Sequence, residues 1–168
     1  MSASSEIRQK LATLGLSLPD VPTPAGNYVQ ARRVGDLLFV SGQGPRINGK
    51  LQWTGRVGAE VTLQDAYAAA RCCALNALAV AVQFAGEKLC LPGVLQVRGF
   101  VSSDDGFHAQ PKVLDGASDL YAAVFGEAGR HVRAALGTST LPGNIPVEIE
   151  VIFLAGEPAS STVASGAI

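Results

Sequence analysis

The stretch "TLQDAYAAARCCALNALAVAVQFAG", residues 62–86, constrains this chain more than any other. Leu63, Ala66, Tyr67, Ala70, Ala74, Ala77, Leu78, Ala81 and Phe84 recur every three or four residues, the period of one helix face. Thr62 and Asp65 resemble a capping box, with Asp in place of the usual Glu, and Gly86 supplies a stop. The inward side is mostly alanine, so this helix can lie close against a sheet. Arg71, Asn76 and Gln83 interrupt its apolar run, so it reads as a core helix and not as a membrane span.

The sheet such a helix needs is written on both sides of it. "YVQARRVGDLLFVSGQ" (28–43) has two β-rich runs around Gly35-Asp36 and reads as a hairpin. Asn48-Gly49 marks a second turn, with a shorter strand beyond it. "GVLQVRGFVSS" (93–103) alternates as a strand, and "DDGFHAQPK" (104–112) is a polar loop. Val113, Ala117, Leu120, Tyr121, Val124 and Phe125 predict a further helix over 113–125, weakened by Gly116. "HVRAALGTSTLPGNIPVEIEVIFLA" (131–155) reads as two apolar strands joined by a Pro/Gly/Asn turn, a closing hairpin. At the start, Ile7, Leu11 and Leu14 predict a short amphipathic helix over 4–16, followed by a proline-rich connector.

The expected fold is therefore α/β of the α+β kind: one domain, with helices covering one face of a mixed sheet. Three segments are expected: a helix and connector over 1–25, the domain proper over 26–155, and a loose tail over 156–168. Only 16% of the 168 residues are charged and 48% are hydrophobic. So little charge cannot cover a lone domain, and the uncovered sheet face is expected to be hidden by self-association.

Net charge is −1, which leaves no basic excess for a phosphate backbone and counts against nucleic-acid binding. Cys72, Cys73 and Cys90 form no CxxC and are expected as free thiols in a reducing compartment. No apolar leader opens the chain, so a cytoplasmic location is expected. Dinucleotide, Walker, zincin and serine-hydrolase motifs are absent, and His108 and His131 lack metal-ligand spacing. No metal is expected.

Arg133 is the charged residue of one closing strand, and Glu148 and Glu150 are those of the other. A guanidinium fork pairs naturally with a carboxylate, so Arg133 is a candidate carboxylate anchor; a structural ion pair is the plainer alternative. Glu148 and Glu150 share strand parity and could form a solvated face, or a polar pocket with Arg133 across the hairpin. Tyr28 could line a cleft or be an ordinary half-buried strand aromatic.

Taken together, "NYVQARRVGDLLFVSGQ", the alanine-rich helix ending in "AG", and "R…LP…VEIE" resemble the reactive-intermediate deaminase family. That family is also called Rid, YjgF or endoribonuclease L-PSP. The resemblance spans about residues 26 to 155. It implies a chorismate-mutase-like fold, a homotrimer with clefts between subunits, and no cofactor. It also implies hydrolysis of reactive enamines or imines, such as 2-aminoacrylate, to 2-keto acids and ammonia.

By position, Arg133 matches the arginine that holds the substrate carboxylate. Glu148 matches the glutamate that positions or activates water. Tyr28 matches a cleft-lining tyrosine, and Gly42 the glycine of SGQ whose backbone faces the ligand. Ala135 stands where many members have cysteine and a backbone carbonyl near the imine nitrogen. Ser118 stands where an asparagine is common, the 104–112 loop looks longer than usual, and the 4–16 helix is an extra. The departures point to a divergent subgroup. A trimeric, non-catalytic binder of small carboxylates is the competing expectation.

Overall fold

A computed structural model describes residues 3–21, 23–86 and 88–157. Its elements in chain order are α1 (Ala3–Thr13), β1 (Ala31–Val34), β2 (Leu37–Gln43), β3 (Arg46–Ile47), β4 (Lys50–Leu51), α2 (Leu63–Ala85), β5 (Cys90–Ser102), α3 (Gln110–Phe125), β6 (Val132–Thr138) and β7 (Val147–Gly156). The tail beyond residue 157 lies outside the described residues.

Both ends of α2 fall where the sequence puts them. The Thr62 hydroxyl accepts the Asp65 backbone N–H at 3.1 Å, and Gly86 sits at positive φ beyond the last turn. The helix is long and apolar enough to cross a bilayer, yet 72% of its most apolar window is buried inside the molecule. That is the environment of a core helix. α2 packs on β7 and β2, and α3 on β5 and β6. The two helices also pack against each other, which explains Gly116: a Cβ there would run into the Tyr67 carbonyl of α2. The glycine weakens α3 as an isolated helix and permits the close approach. α1 docks on β5 and α3 through buried Ile7 and Leu11, so it forms part of the core.

Five strands form one sheet in the order β1-β2-β7-β5-β6; β3 and β4 form a separate ribbon closed by Asn48 and Gly49, both at positive φ. All neighbours in the large sheet are antiparallel except β5 and β6, which run parallel and are linked through α3. This corrects the expected closing hairpin. β6 and β7 follow one another in sequence, but β5 lies between them.

Register assigns every side chain to a face, because directly paired residues project to the same side. Val147, Ile149, Val151 and Phe153 of β7, with Val97 and Val101 of β5 and Leu38 and Val40 of β2, are buried beneath the helices. Among the described residues nothing covers the other face. There Val34 (62%), Phe39 (41%), Val132 (62%) and Leu136 (49%) keep much of their surface in solvent. Two smaller expectations also shift. β5 begins at Cys90 and shifts register between Cys90 and Gly93, around Pro92, and α3 begins at Gln110, leaving a shorter loop.

Candidate active site

The residues singled out from the sequence fall into two groups on opposite faces of the sheet. Glu148 pairs in register with Phe100 of β5 and projects to the uncovered face. Arg133 pairs with Val97 and projects to the helix face, at the sheet edge formed by β6. Strand β5 separates them, so a polar pocket shared by the two across a hairpin, one of the two alternatives, does not form within one chain.

The first group gathers where β2 bulges between Val40 and Gln43. The Glu148 carboxylate lies directly over Gly42, where a Cβ on residue 42 would collide with it. Only glycine leaves this space. Gly42 and Tyr28 line one cleft of about 360 Å³ together with Gln43, Arg46 and Asn76. Asn76 is the one polar residue buried in α2, and its amide donates to the Gly44 and Arg46 carbonyls at 2.9 and 3.0 Å. It thereby pins the chain leaving SGQ to the helix. Burial, and then the neighbouring charge of Glu150, push the Glu148 carboxyl above the usual range. Glu150 itself faces Arg98 at 3.2 Å on the uncovered face, a partly exposed ion pair.

The second group surrounds Arg133. Its Nη1 donates to Asp115 Oδ1 at 2.8 Å and to Ser118 Oγ at 2.9 Å, both on α3. Among the described residues these bonds engage Nη1 alone, so the parallel Nε–Nη2 edge is free to take a carboxylate. Arg133 lines a cleft of about 310 Å³ with Ser118, Arg130 and His131. Ala135, two residues on, packs against the core opposite Gly99.

His131 and Asn76 carry polar contacts in these two groups, and neither was assigned a role from the sequence. A signal existed for each. His131 precedes Arg133 by two residues and so shares its side of the strand. Asn76 is an amide in an alanine and valine helix, where a buried polar group must find partners. Cys72 and Cys73 are buried free thiols, and burial pushes Cys72 up to about 11, so neither is a ready nucleophile.

Comparison with known proteins agrees with this architecture. The family described as "YjgF/chorismate mutase-like, putative endoribonuclease" matches residues 8–155, so the match begins inside α1. The protein TCP17 of Trypanosoma cruzi is 38% identical over 89% of this chain and 94% of its own length. A 2-iminobutanoate/2-iminopropanoate deaminase of Dermatophagoides farinae is 30% identical over 83% of this chain and 94% of its own. The crystal structure of Atu1372, a protein of unknown function from Agrobacterium tumefaciens, superposes with a TM-score of 0.82. It is 41% identical and covers 90% of this chain and 94% of its own. The chain belongs to the YjgF/chorismate mutase-like, or Rid, family.

Proposed function

We propose that the protein hydrolyses small 2-imino acids and their enamine tautomers to 2-keto acids and ammonia, in clefts between the subunits of a homotrimer. One observation carries this reading: Arg133 lines a cleft and is held by Asp115 and Ser118 through one nitrogen, which leaves its Nε–Nη2 edge without a partner among the described residues. The 30% identical imine deaminase supports the reaction class.

Such a reaction asks little of a protein. A protonated imine is already electrophilic at carbon. What remains is to orient it by its carboxylate and to deliver water. Arg133 does the first, and Glu148, its carboxyl pKa raised by burial, does the second by taking a proton from water as the oxygen attacks. Carbonyls of Gly42 and Ala135 hold the nitrogen, and Tyr28 walls the cleft. Because Arg133 and Glu148 face opposite sides of the sheet, each site takes Arg133 from one subunit and Glu148, Gly42 and Tyr28 from the next. The bare sheet face is the surface the subunits share.

The test is hydrolysis of 2-aminoacrylate generated in situ. Arg133→Ala should lower kcat/KM about 100-fold or more, the scale expected when a bidentate charged contact is removed. Equal rates with and without the arginine would sink the proposal. Saturable binding of a keto acid without turnover would favour a carboxylate binder instead.

A further inference from the structure

Beside Arg133 lies a hydrogen-bonded chain with a fixed direction. His131 Nδ1 is 2.7 Å from the Gly129 carbonyl, which can only accept, so Nδ1 carries the ring proton. In the neutral ring Nε2 is then an acceptor, and Ser118 Oγ lies 3.1 Å from it. Arg133 Nη1 donates to the same Oγ at 2.9 Å. The Ser118 hydroxyl proton is thus left to point at His131. Tyr121 meets the imidazole edge-on, with ring centroids 5.8 Å apart, and fixes its plane. All of this borders the cleft into which Arg133 opens.

We infer that Ser118 and His131 form a proton relay at the Arg133 end of the site, acting on the second half of the proposed hydrolysis. The inference rests on the reading of the site as an imine deaminase. In the first half, water adds to the iminium carbon, the C=N π electrons pass to nitrogen, and Glu148 moves the water proton onto that nitrogen. The product is a carbinolammonium with one C–OH and one C–NH3⁺ bond. In the second half this species must lose its hydroxyl proton. Ser118 Oγ accepts that proton while passing its own to His131 Nε2. The C=O bond forms, the C–N bond breaks with its electron pair, and ammonia leaves. The imidazolium then returns its proton to ammonia or solvent. Ser118 is the group that touches the reacting molecule; His131 acts through it as a positioning and proton-holding residue.

The charged neighbours suit a base. Asp115 pairs with Arg133, and Asp119 accepts the Tyr67 hydroxyl at 2.7 Å. Arg130 and Arg133 flank the ring along the chain, and the Tyr121 hydroxyl is turned away to the Ala74 carbonyl. Burial, followed by the charge of Arg133, pushes the imidazole below its ordinary range, against the opposing pull of the Gly129 carbonyl. The acceptor form therefore persists below the pH at which a free histidine protonates.

The experiment follows the pH dependence of kcat with 2-aminoacrylate generated in situ. Removing the relay with His131→Gln or Ser118→Ala should lower kcat about 100-fold, the usual scale of general acid–base assistance, with KM changed less than about threefold in His131→Gln, which leaves the Arg133 contacts in place. The part of the low-pH fall in rate that reports imidazole protonation should vanish in His131→Gln, leaving only the part that reports Glu148. Ser118→Thr keeps the hydroxyl and should restore most of the rate. Ser118→Ala leaves the imidazole in place, so it separates loss of the relay from misfolding of the His131 variant. A wild-type enzyme that depends on Arg133, with a His131→Gln variant within about twofold of it and the same low-pH limb, overturns the relay but not the deaminase reading. No turnover by any form, wild type included, overturns both.

Discussion

Glu148 shows how a candidate site residue can work against the fold that holds it. Its carboxyl is desolvated over Gly42 and sits near Glu150, and both push its pKa up. Above the raised value the group is charged and costs stability; as pH falls through that value it protonates and the cost disappears. Glu148→Gln should therefore raise the thermal midpoint at pH 7 and change it little near pH 4. It should also lower turnover about 100-fold or more, the loss typical of a missing general base. Thermal unfolding at the two pH values beside one rate assay decides this, and a Gln variant less stable at pH 7 refutes it. Arg133 and Glu148 could be picked out as candidates because charges in apolar strands stand out. His131 could not, because its meaning lies in the Ser118 hydroxyl and the Gly129 carbonyl. The Ser118 contact exists only after α3 has docked on β6.

The elements whose limits are set by local chemistry were readable, and α2 is the clearest case. Its cap, period and stop all lie within its own 25 residues, 62–86, and the helix ends where they say. The closing hairpin failed for the opposite reason. Consecutive strands joined by a turn signal usually pair. Here β5 had already taken the place beside β7, a fact held in long-range register that no local pattern carries. Asn76 lies between these cases. Its interruption of an apolar run was visible, and its purpose as a clamp on Gly44 and Arg46 was not. Asn76→Ala leaves those carbonyls without their amide donor and should cost about 1–3 kcal/mol in urea denaturation. Asn76→Asp should cost more, because an ionised carboxylate would face the two carbonyls with nothing to donate. Wild-type stability in the Asp variant would show that the clamp contributes nothing.

At the scale of the whole molecule, the described residues cover the sheet on one side only, and the proposed active site is divided between its two sides. These facts have a common resolution in the proposed trimer, in which each subunit gives Arg133 to one cleft and Glu148 to another. The particle should then have about three times the 17.3 kDa chain mass by sedimentation. A stricter check uses two dead variants. Arg133→Ala and Glu148→Gln chains are each expected to form inactive trimers. Unfolded together in equal amounts and refolded, they should form mixed trimers in which some clefts combine the intact Arg133 of one chain with the intact Glu148 of its neighbour. Random assembly makes that combination in about a quarter of the clefts, since each of two independent choices is right half the time. Recovery near that fraction, absent when the same variants are mixed without unfolding, is the expected result. If both residues of a cleft came from one chain, every mixed cleft would still lack one of them. The mixture would then stay as inactive as its parts.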